Sequence, residues 1–246
     1  MERDGKFSYA CNQCGRCCRD QVITLSPYDV MRIARAAGIR TTEAARKYTM
    51  RRGSLLKFTG ERTCAALDGR RCTIHRGRPL ACRLYPLGLQ RDAQGGETFV
   101  RIEPAAGSLG IYGENGTIAE FLEAQGVGEY LGAIERYRRL LPLMRERIAA
   151  LVDFDAVEPR EFWRVAVREA LAESGFDPNP LIDALFDADG LCGLADDEGA
   201  VRESVATHTR ALEARIRSAT EPRILAAAAV ILAVSLGYTP GEAGAL

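Results

Sequence analysis

From Thr117 onward apolar residues recur every three or four positions, whereas before it they come in short alternating runs cut by glycine, proline and cysteine. The first pattern belongs to amphipathic helices and the second to short strands, because side chains share a face about every 3.6 residues in a helix and about every two in a strand. The expected fold class is therefore α+β. A small cysteine-rich domain over residues 8–116, built from short strands, hairpins and helices, is followed by an all-helical region over 117–246.

Helices are predicted over about 117–125, 128–152, 158–174, 180–188, 199–218 and 222–237. Thr117 with Glu120 reads as a capping box, and Leu131, Ile134, Tyr137, Leu141 and Met144 form one apolar stripe suited to core packing. The longest apolar stretch, 224–238, has 15 residues, while a membrane-spanning helix needs about 20. Its alanines at 226–229 suit close helix packing, so it reads as a buried helix ended by Thr239-Pro240-Gly241.

In the first half, residues 21–25 alternate like a short strand. Ser26-Pro27-Tyr28-Asp29 then reads as N-cap, N1 proline and acidic N3 residue of a helix running to about Ala37, with Gly38 as its stop. A shorter helix is expected over 42–48. Short strands follow between 55 and 74, with Asp68-Gly69 turning the chain between Cys64 and Cys72. Residues 78–86 fit one or two helical turns ended by Pro86, which puts Cys82 on a short helix. A hairpin pairs 87–91 with 99–102 across 92–96. Residues 107–116 carry glycine at every third position without a phosphate-binding pattern, and read as a connection or a turn-rich wrap over the cysteines.

With 246 residues, 47% of them hydrophobic, the chain can bury sizeable cores. Formal net charge is zero, yet residues 1–91 hold 19 Lys and Arg against 7 Asp and Glu, and residues 92–246 hold 14 against 26. A nucleic-acid surface and a basic shell around metal-bound thiolates both fit that asymmetry. The second explains more, since Arg16, Arg19, Arg71 and Arg83 each adjoin a cysteine; nucleic acid is not an expected partner. The charged start, Met-Glu-Arg-Asp-Gly-Lys, lacks a secretory signal pattern, so a reducing, cytoplasmic setting is expected, where clustered cysteines serve metals more often than disulfides.

The chemistry concentrates in the cysteines. Cys11-Asn-Gln-Cys14-Gly-Arg-Cys17-Cys18 places four thiols within eight residues, and Cys64, Cys72 and Cys82 follow. A C-x2-C spacing lets two thiolates turn onto one cation, and a third at the same interval adds a ligand without a large loop to order. Zinc takes four ligands, fewer than the seven candidates here. A [4Fe–4S] cluster also uses four cysteines, and Cys11, Cys14 and Cys17 match the first three of a bacterial ferredoxin-like run, although Cys18 is adjacent and no Cys-Pro follows. The radical S-adenosylmethionine spacing, C-x3-C-x2-C, does not match. Adjacent side chains diverge, so Cys17 and Cys18 are not expected to serve one cation together.

His75 is a ligand or proton-carrier candidate, or more simply a hydrogen-bonded hairpin histidine, and His208, on a polar helix, receives no role. Cys192 reads as a small buried apolar side chain. Asp187-Ala-Asp189-Gly190 is not a calcium loop, because Leu185 stands where the first oxygen ligand should be. No Ser/His/Asp arrangement appears.

Cys11-x2-Cys14-Gly-x-Cys17-Cys18, the stretch Leu25-Ser-Pro-Tyr-Asp29-Val-Met-Arg-Ile-Ala, and Cys72-Thr-Ile-His-Arg-Gly-Arg78-Pro79-Leu-Ala-Cys82-Arg83-Leu-Tyr85-Pro86 together resemble the YkgJ-like cysteine-cluster family, a zinc- or iron-chelating domain. The resemblance covers roughly residues 8–125. It implies that Cys11, Cys14, Cys17, Cys18, Cys64, Cys72 and Cys82 are the metal-site candidates. One branch is similar to flagellin lysine N-methylases, which implies methyl transfer from S-adenosylmethionine to a protein lysine. Many members have tyrosine where this chain has His75, and Cys-Pro where it has Glu103-Pro104. The expected function is thus a metal-binding protein holding an iron–sulfur cluster or zinc. The alternatives are a lysine methyltransferase-like enzyme acting on a protein substrate, and a zinc-stabilised interaction module whose acidic helical half binds a basic partner.

Overall fold

A computed structural model describes residues 1–60, 62–91, 96–172, 180–193 and 201–238 of the chain. The predicted turn at 92–95, the helix ends at 173–174 and 199–200, and the stop at Thr239-Pro240-Gly241 lie outside these residues.

The first half is a set of two-stranded antiparallel pairs strung between short helices. Strand β1 (Lys6–Ala10) is followed by a 3-10 turn at Arg16–Cys18, α1 (Pro27–Ala37) and α2 (Thr41–Tyr48). Next come β2 (Thr49–Met50), β3 (Leu55–Leu56), β4 (Phe58–Thr59), β5 (Thr63–Cys64), β6 (Leu67–Asp68), β7 (Arg71–Cys72), a 3-10 turn at His75–Gly77 and α3 (Leu80–Leu84). Strands β8 (Leu87–Arg91), β9 (Glu97–Arg101) and β10 (Ile111–Thr117) complete it. Strands β2–β9 pair with their sequence neighbours, whereas β1 pairs with β10 across about a hundred residues of chain.

The helical region comprises α4 (Ile118–Ala124), α5 (Val127–Arg138), α6 (Leu140–Leu151), α7 (Pro159–Leu171), α8 (Leu181–Ala184), α9 (Ala188–Cys192), α10 (Val201–Ser218) and α11 (Pro222–Ser235). The α+β class follows directly. None of the described helices is long and apolar enough to cross a membrane.

Local signals explain the best-placed elements. Helix α1 has the expected bounds because Ser26 and Asp29 form a reciprocal capping box and Gly38 closes it in the left-handed conformation at φ 64°. The capping box at Thr117 and Glu120 opens α4 in the same way. Where one helix was expected over 128–152, the chain forms two. Pro142 has no N–H to give and its ring crowds the carbonyl of residue 138, so the first helix ends at Arg138. The expected strand over 21–25 reduces to one bridge, Thr24 to Leu55, because α1 begins at Pro27 and leaves no length for a ladder. The glycine-rich 107–116 segment ends in β10, which the spacing did not suggest.

Two apolar cores carry these elements. The larger runs from Leu25 to Leu236, with Ile33, Tyr137, Leu140, Met144, Leu212 and Ala226–Ala228 closed off from solvent. The smaller joins Phe7, Leu84, Leu87, Phe99, Ile118, Phe121, Leu122 and Val127 beneath β8 and β9. Leu80 packs against both cores, so α3 is fixed between them. Buried polar contacts also tie α2 to α9. Asp189 accepts the Thr41 backbone N–H at 2.6 Å and pairs with Arg35 at 3.3 Å, while Asp187 accepts the Thr41 hydroxyl at 2.7 Å. Asp183 pairs with Arg52 at 2.7 Å. The Asp187–Asp189 stretch is thus a structural clasp.

His208 is fully buried. Its Nδ1 lies 2.8 Å from the Tyr137 hydroxyl and its Nε2 lies 2.9 Å from the Ala184 carbonyl. The carbonyl can only accept, so Nε2 carries the proton and Nδ1 accepts from tyrosine. Burial therefore holds the His208 pKa down to about 4.

Candidate metal centre

Each cysteine segment is laid against another by contacts of its own. Cys11 and Cys14 lie in the loop after β1, and Cys17 and Cys18 on the 3-10 turn that follows. Gly15, at φ 72°, leads into that turn and packs against the β6–β7 hairpin; a Cβ there would lie 3.3 Å from Leu67 Cδ1 and 3.8 Å from Arg70 Cα. This apposition sets the first cysteine group beside Cys72, which pairs with Leu67 in the hairpin. The next residues run along β5. Arg19 bridges Thr63 through the backbone and donates to its hydroxyl at 2.7 Å, and the Asp20 N–H donates to the Arg62 carbonyl at 2.9 Å. That places Cys64 on the same side.

Cys82 arrives on α3, whose orientation depends on a buried carboxylate. Asp29 caps its own helix by accepting from the Ser26 N–H at 2.7 Å, and its second oxygen accepts the Leu80 N–H at 2.7 Å. Arg83 fixes the other end of the short helix, donating to the carbonyls of Arg78, Gln125 and Arg76 at 3.1, 2.6 and 2.5 Å.

The sulfurs act on one another. A thiol hydrogen bond from Cys18 is the leading influence on Cys17 and, with help from the Arg78 charge, holds it at about 7, while the same bond and burial push Cys18 up. Burial raises Cys64, Cys72 and Cys82 as well. Further upward pressure on Cys82 comes from Cys17, Cys64 and Cys72, and on Cys72 from Cys17 and Cys11. Thiols from four stretches of chain therefore share one electrostatic neighbourhood, in which the charge of Cys17 acts on Cys18, Cys64, Cys72 and Cys82. All eight cysteines are free thiols.

The donor set suits a soft metal. Backbone N–H groups two residues on, at Arg16, Ala66 and Ile74, hydrogen-bond the sulfurs of Cys14, Cys64 and Cys72. Such bonds favour the thiolate that a metal requires. Among the described residues no three His, Cys, Asp or Glu side chains yet stand in a formed metal cage.

Several residues around the sulfurs carried no signal as site residues in the sequence. Of the arginines, it is Arg78 whose charge acts on Cys17 and Cys72, rather than the four that adjoin cysteines in sequence. Tyr9 and Tyr85 stand edge to face at 6.0 Å, and both feel the charge of nearby cysteines. Tyr9 two positions before Cys11 and Tyr85 three after Cys82 were the available hints. His75 is half-buried in its 3-10 turn, where burial and the charges of Arg78 and Arg83 lower its pKa. Cys192 is half-buried at the end of α9, more open than expected.

Residues 10–101 match a family model described as "CxxCxxCC: Putative zinc- or iron-chelating domain". The match agrees with the cysteine-cluster resemblance that the motifs carry, and the helical region from Ile118 lies outside it. No curated protein and no solved structure matches the chain.

Proposed function

We propose that residues 8–116 act as a metal-binding domain for an iron–sulfur cluster, drawing its ligands from Cys11, Cys14, Cys17, Cys18, Cys64, Cys72 and Cys82, with the helices of 117–246 bracing it. The observation that carries this reading is the apposition of the cysteine-bearing segments: Gly15 lies against the hairpin of Cys72, Arg19 bridges Thr63 beside Cys64, and Asp29 holds the start of the helix that bears Cys82. Seven thiols exceed the four that one zinc ion or one [4Fe–4S] cluster takes, which favours more than one centre, while the C-x2-C-x2-C run of Cys11, Cys14 and Cys17 supports a cluster. When bound, an iron–sulfur cluster supplies one-electron transfer. The chain's own part is to converge the sulfurs, to direct backbone N–H groups at them, and to set the Arg78 charge beside Cys17 and Cys72.

Anaerobic purification followed by a visible spectrum and analysis for iron, sulfide and zinc tests this directly. Brown protein containing iron and sulfide supports the cluster, whereas colourless protein with stoichiometric zinc replaces it by a zinc-stabilised module. Cys14→Ser is expected to lower metal content and melting temperature together, because metal-binding energy is folding energy in such domains. Unchanged metal content and melting in that variant contradict the assignment of Cys14 as a ligand.

A further inference from the structure

Residues 105–110 pass over the first cysteine loop and are tied to it through the backbone N–H and carbonyl of one residue, Leu109. The Asn12 side-chain amide donates to the Leu109 carbonyl at 2.7 Å, and the Leu109 N–H donates to Cys14 Sγ at 3.5 Å, across 95 residues of sequence. The segment is folded on itself as well, with the Ser108 N–H on the Ala105 carbonyl at 2.9 Å and the Gly110 N–H on the Ser108 hydroxyl at 3.4 Å. Tyr85 accepts the Ala105 N–H at 3.4 Å. The Ser108 hydroxyl lies close enough to Cys14, Tyr9 and Tyr85 to favour the charged form of each. Gly110 allows the approach, since a Cβ there would sit 2.0 Å from the Tyr9 oxygen.

Cys14 thus accepts a local N–H from Arg16 and a second from a distant strap, while its accessibility is only partial. We propose that residues 105–110 form an outer clamp on Cys14, in which Ser108 and Asn12 are positioning residues that orient its sulfur and limit how fast a metal or a small electrophile reaches or leaves it. The metal arm of this inference rests on the ligand reading above; the clamp itself does not. Hydrogen bonds from beyond the ligand set fix ligand direction and thiolate basicity, and losing one typically costs about 10- to 100-fold in metal affinity.

The test uses the full chain with zinc as probe, in the variants Ser108→Ala, Asn12→Ala and Ser108→Thr. Two quantities are read: zinc release to excess chelator, and iodoacetamide alkylation of Cys14 in metal-free, reduced protein, resolved by mass spectrometry against Cys192 as internal reference. Ser108→Ala and Asn12→Ala are expected to keep wild-type zinc stoichiometry, to release zinc roughly tenfold faster, and to alkylate Cys14 several-fold faster. Ser108→Thr, which keeps the hydroxyl, should behave as wild type, an outcome that general loosening of the fold would not give. Zinc release and Cys14 alkylation both unchanged in the two alanine variants overturn the clamp. A wild-type chain that takes up neither zinc nor iron overturns the ligand reading alone, because the alkylation arm is read without metal. Should Asn12→Ala fail to fold, Ser108→Ala decides by itself.

Discussion

Residues 127–151 and residues 11–18 are both ordered, but by different means. In α5 and α6 the order comes from carbon: Tyr137, Leu140 and Met144 are closed off from solvent and Ile134, Leu141 and Ile148 nearly so. Burying each such side chain contributes about 1.5–3 kcal/mol. In the cysteine loop Gly15 is the one buried residue, and the backbone is held by hydrogen bonds and by apposition to the β6–β7 hairpin. A loop with so little apolar burial gains little free energy from the hydrophobic effect against the entropy of ordering it. On the proposed function, the two regions draw on different sources of stability, sulfur–metal bonds for one and packing for the other.

The largest expected effect comes from stripping metal with a chelator under reducing conditions. Structural metal sites contribute on the order of 10 kcal/mol of folding free energy, so amide protection should collapse over the cysteine loop and hairpins while α10 and α11 stay protected in hydrogen exchange. Equal loss in both regions would erase the contrast.

Asp189→Ala comes next. It leaves the buried Thr41 N–H without its carboxylate acceptor and removes the carboxylate facing Arg35, so a loss of about 3–5 kcal/mol is expected in urea unfolding. This variant asks how far the two regions depend on the clasp between α2 and α9.

Lowering pH probes the helical region through His208. Its folded pKa, about 4, lies below its usual value, so the unfolded chain takes up a proton first as pH drops. Stability is fully present above about 6.5 and is lost progressively as pH falls through about 4, by on the order of 3 kcal/mol. The urea midpoint of wild type should therefore fall across that window more steeply than that of His208→Gln. Parallel curves would remove His208 as the cause.

Gly38→Ala is the smallest. Open space surrounds the position, so only the left-handed backbone at φ 64° resists the substitution, and a loss of about 1 kcal/mol in thermal unfolding is expected. A value near zero would show that α1 is held by packing alone.

Much of this was written locally. Ser26, Pro27, Asp29 and Gly38 specify a helix without reference to the rest of the chain, and Asp68-Gly69 specifies the turn before Cys72. The break at Arg139 was equally local, since Pro142 stood in plain view and the apolar stripe ran past it. Other features had no such signal. Lys6–Ala10 meets Ile111–Thr117 from the far side of the domain, and neither strand pattern names its partner. His208 stands on a polar helix and received no role from the sequence, yet Tyr137 and Ala184 enclose it.

The sequence by itself determined the class of chemistry and the helices: thiols at C-x2-C spacing bring soft-metal affinity wherever they fold, and capping residues act within one turn. Only the tertiary structure decided which side chains surround those thiols. Asp29 reaches α3, Arg78 faces Cys17 and Leu109 lies over Cys14 because strands and helices far apart in the chain pack together. Such contacts depend on the free energy of the whole packed core, which no short window of residues contains.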